Sequence, residues 1–285
     1  MNSTAKSQEW TAVITSKVPL LDLPLGELWR YRDMIAFMVR RDIIATFKQT
    51  ILGPVWYIIQ PIISSVVFTI IFSGIGGIPT NGIPPFLFYL SGNLIWYYFS
   101  ACLTSASSTF RANGGLFTRV YFPRLAVPLA QSIVNLWHFG IQAVIFAGFY
   151  FYFMWSGANI APSYRIIVIP ALIAQCALLG LGVGCLISAL TTRYRDLQIA
   201  VAPLVQLWMY ASCIFFPRSS VPENLQWIMN LNPVVPIVET FRFALMGQGQ
   251  VEIHQWVFSL AITMALLLLG LIGFSRAERT MADTI

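Results

Sequence analysis

PVWYIIQPIISSVVFTIIFSGI (residues 54–75) and FLFYLSGNLIWYYFSACLTSASS (residues 86–108) are two apolar segments within a longer stretch, 49–110, that contains no Asp, Glu, Lys or Arg. An α-helix needs about 20 mainly apolar residues to cross a bilayer, so each segment is long enough for one crossing. The glycines and prolines between them, from Gly74 to Pro85, favour a short turn. The stretch therefore predicts two consecutive transmembrane helices.

The composition of the whole chain also indicates a membrane protein. Its 285 residues are 57% hydrophobic and only 10% charged, with a mean hydropathy of +0.72, whereas a soluble domain carries about 25% charged residues. No linker-like change in composition divides the chain, so we interpret residues 1–285 as a single membrane domain. Four more apolar segments complete a predicted all-α fold of six transmembrane helices, with spans one to five inside 54–216: these segments are 128–154, 165–190, 197–216 and 256–275.

The distribution of Lys and Arg predicts the orientation of these helices. Fourteen of the 17 basic residues fall in the two termini and in the loops that share their side, and three fall on the other side, namely Arg165, Arg218 and Arg242. Positive charge concentrates in the cytoplasmic segments of membrane proteins. We therefore expect both termini in the cytoplasm.

Two apolar segments do not fit a simple crossing. Residues 25–48 carry charges, Arg40 and Arg41 among them, at a recurrence close to seven residues. This pattern predicts an amphipathic helix in the cytoplasmic interface. Residues 219–247 are divided by prolines into pieces too short to cross. We expect two short helices there, re-entrant or interfacial, on the outer side before the last span.

The sequence lacks the groups that power transport or catalyse reactions. None of its three lysines follows a GxxxxGK[ST] loop, so the chain does not hold ATP in the P-loop manner. Its two histidines, His138 and His254, do not suggest a metal site, and no Lys/Arg-rich run suggests nucleic-acid binding. We expect no cofactor and no catalytic residue on this chain, and a partner that supplies the energy for any transport.

A row of polar side chains marks the third predicted span. Gln131, Asn135, His138 and Gln142 recur at intervals of four, three and four residues and therefore share one helix face. Such residues either hydrogen-bond between helices or form the polar wall of a translocation path. The sequence leaves both interpretations open.

The fourth predicted span carries small residues at a regular spacing. Gly180, Gly184 and Ser188 follow one another at intervals of four. Small residues at this spacing let two helix backbones approach closely in a membrane. We expect them to pack against a neighbouring helix.

Aromatic residues cluster near the ends of several predicted spans. Most such clusters form interfacial belts, but Trp96 to Phe99 lie about ten residues into their segment, nearer to mid-depth. Aromatic faces stack on the apolar C–H surfaces of sugar rings, so some of these residues could line a glycan path. The path candidates are Trp56, Tyr57, Tyr89, Trp96, Tyr97 and Phe99 from the aromatic clusters, with Asn135, His138 and Gln142 from the polar row.

The predicted cytoplasmic loop RANGGLFTRVYFPR (111–124) combines positive charge with apolar side chains. Positive charge alone would be a topology signal, but a solvated loop does not expose so many apolar groups. We expect this loop to dock onto another protein. Its candidate contact residues are Arg111, Leu116, Phe117, Arg119, Tyr121 and Arg124.

Four motifs in order give the chain a resemblance to a known family: KQTILGPVWYIIQP (48–61), RVYFPRLAVPLAQ (119–131), RYRDL (193–197) and NPVVPIVETFRFALMG (232–247). The chain resembles the membrane subunit of type-2 ABC exporters, in the branch that exports polysaccharides such as O-antigen, capsule or teichoic acid. The resemblance extends over about residues 25–275. The segment CIFFPRSS (213–220) departs from it, because many relatives have a second proline near Cys213 and no arginine after Pro217.

The resemblance implies half of a transporter. Two copies of this chain would assemble with two copies of a separate ATP-binding subunit, and that subunit would hold ATP and Mg. The helix at 25–48, with Arg40 and Arg41, and the loop at 111–124 would contact this subunit. The short helices before the last span, with Glu239 and Arg242 one turn apart, would form part of an outer gate.

On this basis we expect the permease of an ATP-driven exporter that moves lipid-linked polysaccharide, with O-antigen the first candidate, across the bacterial inner membrane. Export of capsule or teichoic acid, and export of small molecules or drugs within the same superfamily, are alternatives. A membrane-embedded glycan-modifying enzyme would need positioned acid and base groups. The outer face offers for this only Glu223, Glu239, Glu252 and His254. A structural membrane scaffold is the remaining alternative.

Overall fold

The computed structural model describes residues 25–48, 55–117, 122–158, 160–248 and 252–282, and within these ranges the chain forms helices and connecting turns without a strand. The predicted all-α membrane fold is confirmed. In chain order the α-helices are α1 (Leu25–Arg30), α2 (Arg32–Lys48), α3 (Val55–Phe68), α4 (Pro85–Ser107), α5 (Thr109–Phe117), α6 (Ala126–Trp155), α7 (Ile169–Arg193), α8 (Leu197–Tyr210), α9 (Gln226–Leu231), α10 (Val234–Met246) and α11 (Ile253–Ala282).

Within the described ranges, five helical segments are long and apolar enough to cross a membrane. The first continues α3 through a π-helical stretch to Ile75, and the fourth begins with a 3₁₀ turn before α7. All five start and end within three residues of a predicted span. The five segments are Val55–Ile75, Pro85–Ser107, Ala126–Trp155, Tyr164–Arg193 and Ile253–Glu278.

The predicted fifth span, 197–216, is helical over only 14 residues as α8. A helix of that length extends about 21 Å, which is less than the roughly 30 Å of a hydrocarbon core. The chain then turns, and Ser212 to Phe215 are buried in the protein. Irregular backbone is tolerated at membrane depth only where protein surrounds it. The count of six crossings therefore stays a prediction.

The centre of the fold is α4, which packs between α6 and α7. Glycines bring the backbone of α7 close to both of its neighbours. A Cβ atom at Gly184 would lie 2.5 Å from the Cβ of Ala106 on α4, and Gly180 makes a similar approach. On the other side of α7, a Cβ at Gly182 would lie 2.6 Å from the Cα of Leu267 on α11. The close helix packing expected at Gly180 and Gly184 is confirmed.

The segment predicted as one interface helix, 25–48, is divided into α1 and α2 at Tyr31. The backbone ladder continues through this residue, because its N–H donates to Glu27 and its carbonyl accepts from Ile35. The second helix, α2, lies against α6. The interface segment therefore rests on the wall of the bundle that carries the polar row.

The segment before the last span contains the two expected short helices, α9 and α10. Asn232 separates them, and its side chain binds the backbone of Ala211 and Val234. Helix α10 ends at Met246 and is capped by Gly247, whose φ of +69° suits glycine. The placement of these helices as re-entrant elements stays a prediction.

Candidate functional site

A cavity of about 700 Å³ lies between α2, α3, α4 and α6. The whole polar row of α6 lines it, so the shared face predicted from the spacing is confirmed. Helix α3 contributes Tyr57 and Gln60, and α4 contributes Tyr97. The remaining polar lining residues are Tyr98, Ser100 and Thr104 of α4 and Arg41, Asp42 and Thr46 of α2.

Half of the polar row makes hydrogen bonds to other helices. The Gln131 amide donates to the Asp42 carboxylate on α2 at 2.6 Å. The Asn135 amide donates to the hydroxyl of Ser105 on α4 at 3.2 Å. These two residues therefore follow the first of the two interpretations that the sequence left open, hydrogen bonding between helices.

The other half of the row keeps unused hydrogen-bonding capacity. Nε2 of His138 is buried and has no hydrogen-bond partner, and the Gln142 amide has none within the described ranges. The ring of His138 stacks on that of Tyr57 from α3, with centroids 4.0 Å apart and planes 9° from parallel. This half of the row presents an aromatic face and open polar atoms beside the cavity.

The aromatic path candidates separate into two groups. Tyr57 and Tyr97 line the cavity, and the Tyr97 hydroxyl lies 2.9 Å from the Ser64 hydroxyl. Tyr89, Trp96 and Phe99 are instead buried in the packed core, with 0–2% of their surface exposed. The reason is the central position of α4, which is covered by neighbouring helices on most of its circumference. Trp56 lies away from the cavity and is 56% exposed.

The two outer-gate candidates, Glu239 and Arg242, lie together inside the protein. Their charged atoms are 3.6 Å apart. The Arg242 guanidinium also donates to the carbonyls of Phe88, Cys213 and Ile214 and lies 3.6 Å from the centroid of the Phe88 ring. Arg242 therefore joins α4, the turn after α8 and α10.

A glycine on α4 makes room for this arginine. A Cβ atom at Gly92 would lie 2.6 Å from a terminal nitrogen of Arg242. Burial raises the pKa of the Glu239 carboxyl. The neighbouring Arg242 and Arg218 act in the opposite direction and offset part of this rise. Burial also lowers the pKa of Arg242, to about 10, so the guanidinium stays charged at neutral pH. The geometry is that of a buried structural ion pair on α10.

The predicted ATPase-coupling residues are divided between exposed and packed positions. Arg40 and Arg111 are exposed, and Arg41 lies at the cavity, where its Nε binds Asp42 at 2.7 Å. Phe117 packs against Phe110 and Phe122. The loop predicted at 111–124 begins as helix α5. Arg119, Tyr121 and the side chain of Leu116 lie outside what the structure describes.

Arg124 connects the end of this loop to the last helix. Its guanidinium lies 3.8 Å from the Glu278 carboxylate and donates to the Glu278 carbonyl at 3.1 Å. It also lies 5.4 Å from the centroid of the Phe117 ring. The region expected to meet a partner is therefore held against α11.

Sequence reasoning did not identify several residues of the cavity. Gln60 interrupts an apolar span and could have been found by the criterion that identified the α6 row. Asp42 gave no such signal, because its role depends on the contact between α2 and α6. The hydroxyls of Ser100 and Thr104 are too weakly polar to stand out within an apolar segment.

Comparison with known proteins identifies the family to which the chain is similar. The family model described as ABC-2 type transporter matches residues 34–246. The chain is 24% identical over 264 residues to the O-antigen export system permease protein RfbA of Myxococcus xanthus, covering 91% of this chain and 98% of the relative. A Klebsiella pneumoniae protein of the same name is 23% identical over 256 residues, covering 89% and 95%.

A second group of relatives carries a different substrate name. The polysialic acid transport protein KpsM of Escherichia coli is 23% identical over 246 residues, covering 85% of this chain and 92% of the relative. The family match extends from α2 to the end of α10 and includes the cavity helices α2, α3, α4 and α6. The chain, a multi-pass membrane protein, therefore belongs to the ABC-2 type transporter family.

Proposed function

We propose that the chain is the permease of an ATP-driven exporter that moves a lipid-linked polysaccharide, with O-antigen as the first candidate, across a bacterial inner membrane. The observation that carries the proposal is the similarity to O-antigen export permeases over nearly the full length of both chains. ABC-2 family members are the transmembrane subunits of their transporters. Capsular polysaccharide is the second candidate, which the similarity to a polysialic acid transport protein supports.

The cavity supports a glycan over a purely apolar drug. Amide and hydroxyl groups from three helices line it, among them Gln60, Tyr97 and Gln142. Such groups match the hydroxyls of a sugar, whereas an apolar drug would leave them without partners at a cost in free energy. The polar lining and the family together favour carbohydrate export.

The complete transporter, in this proposal, contains two copies of this chain and two ATP-binding subunits. The chain itself binds no nucleotide, and ATP and Mg are held by the partner. Both termini lie in the cytoplasm, so the exposed Arg40 of α2 and Arg111 of α5 face the ATP-binding subunit. ATP binding draws the two ATP-binding subunits together, and the region 111–124 passes this movement to the spans.

Deletion of the gene, followed by complementation with an intact copy, tests the proposal. We expect loss of surface polysaccharide and accumulation of lipid-linked glycan on the inner face of the membrane, with both effects reversed by complementation. A strain in which only the partner ATPase is inactivated is the matched control and should show the same accumulation. Unchanged surface polysaccharide after deletion would contradict the proposal. The identity of the glycan that accumulates distinguishes O-antigen from capsule.

A further inference from the structure

We propose that the cavity within each chain is a binding site for an uncharged glycosyl group, which the transporter holds there before it crosses. The inference rests on the proposed function and adds to it a location and a ligand class. Its walls come from α2, α3, α4 and α6 of a single chain. Two copies of the chain would therefore carry two such sites.

The charge balance of the cavity indicates a neutral ligand. Among the residues that the structure describes, Arg41 and Asp42 are the charged ones that line it. Nε of Arg41 donates to the carboxylate of Asp42 at 2.7 Å, and Gln131 donates to the same carboxylate at 2.6 Å. The positive charge is therefore already paired, and the carboxylate already accepts two hydrogen bonds. The two opposite charges lie side by side, so the described lining has no net charge that would attract a phosphate group, whereas a sugar needs none.

The open polar atoms indicate a ligand with many hydroxyl groups. Nε2 of His138 is buried without a hydrogen-bond partner. The side-chain amides of Gln60 and Gln142 line the cavity and also lack a partner within the described ranges. Each amide offers both donors and an acceptor, and the buried Nε2 of His138 costs free energy while it is unpaired. A hydroxylated ring can satisfy all three residues because each hydroxyl both donates and accepts.

Aromatic rings give the cavity one apolar surface. The stacked pair of Tyr57 and His138 connects α3 to α6 beside the open amides, and Tyr97 lines the cavity from α4. Sugars combine hydroxyl edges with apolar C–H faces, so they need both kinds of surface. The volume of about 700 Å³ falls within the range of about 300–1,000 Å³ that is usual for small-ligand sites.

The position of the cavity indicates when the sugar is held. Arg41, Asp42, Ala45 and Thr46 of α2 line one end, so the cavity lies where the spans meet the interface segment. In the proposed orientation this end faces the cytoplasm. A glycosyl group held there is beside the helix that contacts the ATP-binding partner, before translocation begins.

Photolabelling of the intact transporter tests the site. The permease and its ATP-binding partner are reconstituted in lipid nanodiscs and labelled with an octyl β-glucoside that carries a diazirine on its alkyl chain. An octyl phosphate with the same diazirine serves as the charged probe. We expect the glucoside probe to label peptides from α3, α4 and α6, and excess octyl glucoside to prevent this labelling. Excess octyl phosphate should not prevent it.

Three variants test the residues individually. His138→Phe keeps a ring to stack on Tyr57 and removes the open nitrogen, and Gln60→Leu and Gln142→Leu remove the open amides. Each should weaken glucoside labelling about fivefold, the effect of one lost hydrogen bond. Gln206→Leu is the matched control, since Gln206 is an exposed glutamine of α8 away from the cavity. It should label as the original protein does.

The outcomes separate this site from the proposed function. Equal labelling by the phosphate probe, or labelling that none of the three cavity variants weakens, would overturn the site even if gene deletion still abolishes surface polysaccharide. If surface polysaccharide survives deletion of the gene while the reconstituted transporter still shows specific glucoside labelling, the site is supported and the export role is rejected. Size-exclusion profiles identify a variant that fails to fold. The labelling of the remaining cavity variants then decides whether the site exists.

Discussion

The carboxylate of Asp42 on α2 and the side-chain amide of Gln131 on α6 form a hydrogen bond of 2.6 Å across 89 residues of sequence. Gln131 begins the polar row that lines the cavity. The interface segment is thus tied directly to the wall of the candidate site. A displacement of α2 by a partner would be transmitted to that wall through this bond.

We predict that Gln131→Leu uncouples ATP hydrolysis from transport. The substitution removes the donor and leaves Asp42 paired with Arg41 alone, so α2 loses its polar connection to α6. Hydrogen bonds to charged groups contribute about 1.5–3 kcal/mol, so we expect transport per ATP hydrolysed to fall about tenfold or more in reconstituted vesicles. Gln206→Leu on α8 is the control. An unchanged ratio of transport to hydrolysis in Gln131→Leu would reject the coupling role.

We predict that Arg242→Met strongly destabilises the fold. It removes the donor to three carbonyls and leaves the Glu239 carboxylate buried without its partner. Breaking a buried pair in this way costs about 3–5 kcal/mol. Thermal unfolding in detergent micelles measures the loss. The double variant Arg242→Met with Glu239→Gln should recover part of it, because no unpaired charge remains. Equal stability of the single and double variants would show that the ion pair is not the source.

We predict opposite tolerance at two helix glycines. Leucine at Gly184 would meet Ala106 and the backbone of α4, whereas a Cβ at Gly140 on α6 meets no atom within 4 Å. Overpacking costs about 1–3 kcal/mol, so Gly184→Leu should lower the unfolding temperature and Gly140→Leu should leave it nearly unchanged. Comparable melting of the two variants would mean that the α4–α7 contact is less constrained than the geometry indicates.

We predict that Arg111→Glu weakens binding of the ATP-binding partner and leaves the membrane fold intact. Arg111 is exposed on α5, unlike Phe117, which packs against Phe110 and Phe122. Co-purification of the partner measures binding, and the melting temperature of the isolated permease reports on the fold. Arg111→Lys keeps the positive charge and should retain the partner. Retention by Arg111→Glu as well would exclude Arg111 from the contact.

The positions of the spans could be predicted because hydropathy depends only on local composition. The predicted span at 86–108 corresponds to Pro85–Ser107, and the span at 128–154 corresponds to Ala126–Trp155. The same local signal did not show that α8 ends at Tyr210, because the residues that follow it are equally apolar. Their backbone turns where Arg242, distant in sequence, donates hydrogen bonds to the carbonyls of that turn and of α4.

The candidate site could be predicted only in part. The spacing of Asn135, His138 and Gln142 placed them on one face, since helical periodicity is fixed by the backbone. Which aromatic residues share a cavity depends on how helices pack, so Tyr57 and Trp96 looked equivalent in sequence although Trp96 is 2% exposed within the core. Long-range pairs such as Asp42 with Gln131 leave no local pattern.

The glycine contacts of α7 divide the helices of the bundle into a closely packed set, α4, α7 and α11, and a less constrained set. With its backbone against α4 on one side and α11 on the other, α7 leaves those three helices little freedom to slide or separate. We therefore expect the movements of a transport cycle to involve α2, α3 and α6, which form the other walls of the cavity. Among relatives that transport substrates of different width, we accordingly expect substitutions to accumulate on α3 and α6. The side chains of α4 that contact the glycines of α7 should stay small.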